Sequence, residues 1–139
     1  MKERVFLDTN VLVYLFDADA PAKQQRAQAL LSSQELRTQI ILSTQVLQEF
    51  YVSVTRKLAV PLDLDTALKA VQDLAAFPIV QVDTPLILLG IQRSSKAKIS
   101  FWDALIVEAA LVAGTTLLYS EDFHDGAVFG KLRIANPFK

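Results

Sequence analysis

The stretch Val5-Phe6-Leu7-Asp8-Thr9-Asn10-Val11-Leu12-Val13-Tyr14 decides how this chain is read. A short apolar run meets three polar residues, the pattern of a buried strand that ends in a polar turn. Val11 to Phe16 is again apolar and compact, which predicts a short helix capped by one of the polar residues before it. The chain therefore opens on a strand, a turn and a helix.

The same alternation continues outward. Pro21 suits the first turn of a helix over about Ala22–Ser33, and Thr38–Leu42 reads as a second strand. Ser43 or Thr44 caps a longer helix to about Lys57, with Val46, Phe50 and Val54, and Leu47, Tyr51 and Leu58, at helical spacing. Asp63 or Asp65 begins another helix to about Ala76. Ile79, Val80 and Val82 suggest a third strand. Pro85 opens a helix through about Ser95, and Ser100 caps the next over Phe101–Ala113, which Gly114 stops. Thr115–Tyr119 is a fourth strand, and Leu132–Ile134 a short fifth. Short apolar strands alternating with helices predict an α/β fold with a mainly parallel sheet and helices on both faces.

Length and composition agree. The 139 residues are expected to form a single domain over 1–139 with a sizeable core. An apolar share of 52% excludes intrinsic disorder. The balance of 14 basic and 15 acidic residues gives −1, so nucleic-acid binding would need a local patch. The absence of cysteine excludes disulfides, thiolate metal sites and cysteine nucleophiles, and fits a cytoplasmic protein. Met1-Lys2-Glu3-Arg4 is a poor signal peptide. The longest uncharged stretch, Ala109–Ser120, is twelve residues, short of the about 20 apolar residues a membrane-spanning helix needs. No G-x-G-x-x-G, P-loop or zinc-ligand spacing occurs.

Ligands of parallel sheets bind beyond the carboxyl ends of the strands. Asp8 follows the first strand and Asp122 the fourth; Glu49 and Asp103 lie about one turn into helices that start near the same edge. Each has an ordinary structural role available. Asp8 can cap a helix or make an Asx-turn, Asp103 completes a capping-box pattern with Ser100, and Glu49 can be a solvated helix edge. Asp122, like Glu121 and Asp125, can be a loop acid. Together, carboxylates converging at one edge would raise one another's pKa unless a cation compensates. An all-oxygen donor set suits Mg²⁺ or Mn²⁺, with chemistry at a phosphate ester as the natural consequence. Composition leaves phosphodiester cleavage, phosphomonoester hydrolysis and phosphoryl transfer to Asp equally open.

Four segments carry a resemblance: the opening stretch above, Gln48-Glu49-Phe50-Tyr51, Ser100-Phe101-Trp102-Asp103-Ala104-Leu105-Ile106, and Tyr119-Ser120-Glu121-Asp122-Phe123. Together they resemble a PIN domain, and more narrowly the VapC-type toxins of toxin–antitoxin pairs. The resemblance implies a three-layer α/β/α sandwich around a parallel sheet of four or five strands. It implies Mg²⁺- or Mn²⁺-dependent endoribonuclease activity, with Asp8, Glu49, Asp103 and Asp122 as catalytic and metal-binding acids. Thr9 and Ser120 match pocket-lining positions, and Asn10 a support for Asp8. The expected partners are an RNA substrate (transfer RNA as the family-level expectation), a VapB-like antitoxin and a second copy in a homodimer. Many relatives carry Thr-Asn-Asp where this chain has Ser120-Glu121-Asp122. Register favours Asp122 as the fourth ligand, with Glu121 as the second choice.

Other residues have competing roles. Lys23, Arg26, Arg37, Arg56 and Lys57 are candidate rim cations. Arg93, Lys96 and Lys98 are candidates for touching RNA phosphates, although such runs are commonly solvated helix ends. Phe101 and Trp102 could stack on a base, but packing is the commoner role at a helix start. His124, the sole histidine, could shuttle a proton beside Asp122. Two rivals to the nuclease reading remain: a catalytically inactive PIN-like module that binds RNA or protein, and a receiver-like phosphoacceptor domain using Asp83.

Overall fold

The computed structural model describes residues 3–139; Met1 and Lys2, part of the segment read above as a poor signal peptide, lie outside them. Strand β1 (Val5–Leu7) is buried throughout and passes directly into helix α1 (Thr9–Val13), which tightens into a 3-10 turn over Tyr14–Phe16. Asp8 is the N-cap: its Oδ1 accepts the Thr9 N–H at 2.7 Å. Then follow α2 (Pro21–Ser32), the short α3 (Gln34–Arg37), β2 (Ile40–Ser43), α4 (Thr44–Arg56) and α5 (Leu64–Leu74). Strand β3 (Ile79–Val80), α6 (Thr84–Ala97), α7 (Phe101–Val112) and β4 (Leu117–Tyr119) lead to a hairpin of β5 (Val128–Phe129) and β6 (Leu132–Ala135). Ser43, Asp63, Asp83 and Ser100 each cap the following helix by accepting the N–H of its third residue.

The sheet order is β3-β2-β1-β4-β6-β5, parallel except for β5 against β6. Six strands thus replace the four or five expected. The addition is β5, two residues joined to β6 by Gly130-Lys131, where Gly130 takes the positive φ that such a tight hairpin requires. Helix α3 was likewise absent from the sequence reading.

The chain adds β2 and then β3 on one side of β1, then returns to add β4 on the other. Right-handed crossovers put α1–α5 on one face and α6–α7 on the opposite face. Phe6, Leu7, Leu12, Leu42, Val46, Phe50, Leu118 and Ile134 fill the core with essentially no exposure. Helix α7 is buried almost all round from Ala104 to Ala110, and packs on α6, β2 and β6. Gly90 permits this closeness, since a Cβ there would lie 2.8 Å from Leu105 Cδ2. Among the described residues no helix is long and apolar enough to cross a membrane.

The reversal of strand order between β1 and β4 opens a crevice at their carboxyl ends, where an α/β sheet binds its ligands. Asp8 stands at the end of β1 and Ser120 at the end of β4, and the Asp8 N–H still donates to the Tyr119 carbonyl at 3.0 Å.

Candidate active site

A cavity of about 570 Å³ occupies this crevice. Asp8, Glu49, Asp103 and Asp122 all line it. They arrive from the β1–α1 junction, α4, α7 and the segment after β4, on both faces of the sheet. Thr9 and Asn10 also line it. Ser120 lies beneath, fully buried, and its hydroxyl donates to Asp8 Oδ2 at 2.7 Å.

One polar network joins the acids. The Thr9 hydroxyl donates to Glu49 Oε1 at 2.8 Å, fixing α4 to the first turn of α1. The Asn10 amide donates to Asp122 Oδ2 at 3.0 Å and, at 3.4 Å, reaches Asp8 Oδ2 and Ser120 Oγ. The Asp122 N–H donates to Ser120 Oγ at 3.1 Å. Asp103 begins α7, where its N–H donates to Ser100 Oγ at 3.0 Å. Asn10 is thus a support for two acids rather than for Asp8 alone.

Burial is the largest influence on Asp8 and pushes its carboxyl up to about 7; the charges of Asp122 and Glu49 push the same way, against the Ser120 and Thr9 hydrogen bonds. Asp103 is raised as well, by burial first, with Asp122 and Glu49 contributing. The cavity walls carry five carboxylates, counting Asp17, against one ammonium, Lys57. Among the described residues no three acidic, histidine or cysteine side chains are already arranged to hold a metal ion.

Glu121 turns away. Its Oε2 pairs with Lys23 Nζ at 2.8 Å, and its Oε1 accepts from the Tyr14 hydroxyl. Lys23 also lies over the Tyr14 ring, 5.0 Å from its centroid. Glu121 does not line the cavity, whereas Asp122 does.

The basic candidates separate too. Arg93 reaches Glu108 of α7, Nε to Oε1 at 2.7 Å, and neutralises a buried acid. Lys96 and Lys98 are exposed, and neither lines the cavity. His124 is exposed and outside it. Asp83 caps α6. Phe101 packs toward Gly90, whereas Trp102 lines the cavity and is exposed.

Gln45 was not singled out from sequence; its only signal is a position one turn before Glu49. Its Nε2 donates to Glu49 Oε2 at 3.3 Å and to the Trp102 carbonyl at 3.1 Å, tying α4 to α7 across the crevice. Its Oε1 is the one buried side-chain polar atom without a partner among the described residues.

The family model described as PIN domain matches residues 5–124. No curated protein matches the chain by sequence. Solved structures share the fold. VapC20 of Mycobacterium tuberculosis, described as a toxin that cleaves the sarcin-ricin loop, superposes with a TM-score of 0.67 at 22% identity, covering 93% of this chain and 98% of that one. A chain of a toxin–antitoxin complex from Klebsiella pneumoniae gives 0.67 at 18% identity, covering 96% and 97%. A chain of DNA-bound VapBC from Salmonella typhimurium gives 0.64 at 16% identity, covering 98% and 99%.

Proposed function

From the premise that this chain belongs to the PIN domain family, we propose that it is a divalent-metal-dependent endoribonuclease and the toxin of a VapBC-type pair. Asp8, Glu49, Asp103 and Asp122 hold Mg²⁺ or Mn²⁺. The observation that carries this reading is that these four acids, from four separate elements, line one crevice at the reversal of strand order. The donor set is all oxygen, as hard divalent ions require, and Mg²⁺ needs only one or two direct carboxylates because it keeps several waters. A loosely spaced set therefore suits it. Asp8, raised by burial and by its acidic neighbours, ionises more readily once a cation compensates.

When bound, such an ion supplies an activated water for in-line attack and neutralises charge developing on the phosphate. The chain's own residues prepare that arrangement. Ser120 and Thr9 hold Asp8, Thr9 and Gln45 hold Glu49, and Asn10 holds Asp122. Glu121, engaged with Lys23 and Tyr14, fixes the segment that presents Asp122. Attack by water rather than by the ribose 2′-hydroxyl leaves 5′-phosphate and 3′-hydroxyl ends. Resemblance to chains solved in toxin–antitoxin complexes supports an antitoxin partner.

The test is cleavage of total RNA by the purified protein with Mg²⁺ or Mn²⁺, with EDTA, and as Asp8→Asn. Discrete fragments that require both the metal and Asp8 support the assignment. Undiminished cutting by a folded Asp8→Asn protein overturns it.

A further inference from the structure

We propose that Trp102 is the platform on which one unpaired nucleobase of the substrate stacks beside the acidic crevice. The inference rests on the nuclease reading and adds the contact that supplies its affinity. Trp102 is the sole tryptophan of the chain, and 61% of it is exposed. It lines the crevice and directly precedes Asp103. A place in the core of this chain is thereby excluded, and its neighbour Phe101 takes the packing role at this helix start.

The ring is held rather than free. It meets the Phe101 ring edge-on, with centroids 5.2 Å apart and planes at 67°. Its backbone carbonyl accepts from Gln45 Nε2, the amide that also holds Glu49. The same amide carries the one buried acceptor still without a donor among the described residues, Gln45 Oε1.

Electrostatics gives the reason a stacking contact is needed. With Lys57 as the one ammonium on walls carrying five carboxylates, and a net charge of −1, phosphate attraction is weak here. Stacking on an aromatic face holds a nucleotide without a positive field and without reading base identity. It requires a base free of its duplex, as in a loop or single strand.

The experiment uses full-length Asp8→Asn protein, with cutting blocked, and a short unstructured oligoribonucleotide carrying an end label, in Mg²⁺. Tryptophan emission reports the ring, and anisotropy of the label reports binding. Emission should be quenched in parallel with binding. Adding Trp102→Ala should weaken binding about tenfold, about 1.4 kcal/mol, while Trp102→Phe stays within about threefold because an aromatic face remains. Replacing the stacked nucleotide with an abasic one should remove the quench and make the Trp102→Ala loss disappear. Saturated binding without quenching, equal affinity for the alanine variant, or no binding at all overturns the stacking assignment. Metal-dependent cleavage by the unmodified protein is measured separately. Cleavage without quenching sinks stacking alone, whereas quenching without cleavage upholds stacking and sinks the nuclease reading.

Discussion

Asp8→Asn gives the sharpest physical test, because it reads the electrostatics of the site without any ligand. Burial holds the Asp8 carboxyl near 7 against 3.8 in an unfolded chain. The folded protein therefore keeps this proton to higher pH than the unfolded chain. Stability contributed by Asp8 is full below about pH 4 and is lost as pH rises to about 7, where ionised Asp8 costs about 4 kcal/mol at about 1.4 kcal/mol per pKa unit. Asparagine never ionises and remains a good N-cap. It does disturb the Ser120 hydrogen bond, by about 1–2 kcal/mol, but by the same amount at every pH. The stability gap between the Asn variant and the unmodified protein should therefore move in the variant's favour by about 3 kcal/mol between about pH 5 and about pH 8. At about 3–4 °C per kcal/mol for a chain of this size, that is about 10 °C in relative Tm. Paired thermal melts in EDTA at the two pH values measure it. A gap that stays the same at both values would refute the claim that a buried, like-charged carboxylate strains the metal-free fold.

Excess Mn²⁺ at about pH 8 should raise the Tm of the unmodified protein by mass action and leave Asp8→Asn nearly unmoved; equal shifts would remove Asp8 from the ion site. Thr9→Val keeps the shape of the side chain but removes its donor to Glu49, and calorimetry should find Mn²⁺ affinity reduced about tenfold or more. Arg93→Ala leaves Glu108 buried without its partner and should cost about 2 kcal/mol in a denaturant titration, with oligoribonucleotide affinity unchanged; a selective loss of affinity would return Arg93 to the RNA surface. Phe50→Ala empties a fully buried position and should cost about 3–5 kcal/mol, read as a lower denaturant midpoint.

Long periodic elements were legible in the sequence. The stripe Val46, Phe50, Val54 is the buried face of α4, and capping residues Ser43, Asp63 and Ser100 stand where side-chain chemistry predicts. Helix α3 and strand β5 escaped because four- and two-residue elements have no period to display; β5 left only the Gly130-Lys131 turn as a trace.

By itself the sequence determined the alternation of strands and helices, the parallel sheet it demands, and the placement of Asp8, Glu49 and Asp103 near one edge, with Asp122 favoured over Glu121 as the fourth. These are short-range consequences of burial period and capping. Tertiary structure set neighbours apart. Glu121 and Asp122 are adjacent acids, set apart because the 3-10 turn after α1 and helix α2 bring Tyr14 and Lys23 to the first of them and leave the second beside Asn10. Arg93 is a cation like Lys96 until packing sets it against Glu108 of another helix. Phe101 and Trp102 are adjacent aromatics until the close α6–α7 approach at Gly90 packs one, half-buried, against that glycine and leaves the other exposed on the crevice. In each pair the side-chain chemistry is alike, so the outcome rests on contacts between residues distant in sequence, which no local pattern encodes.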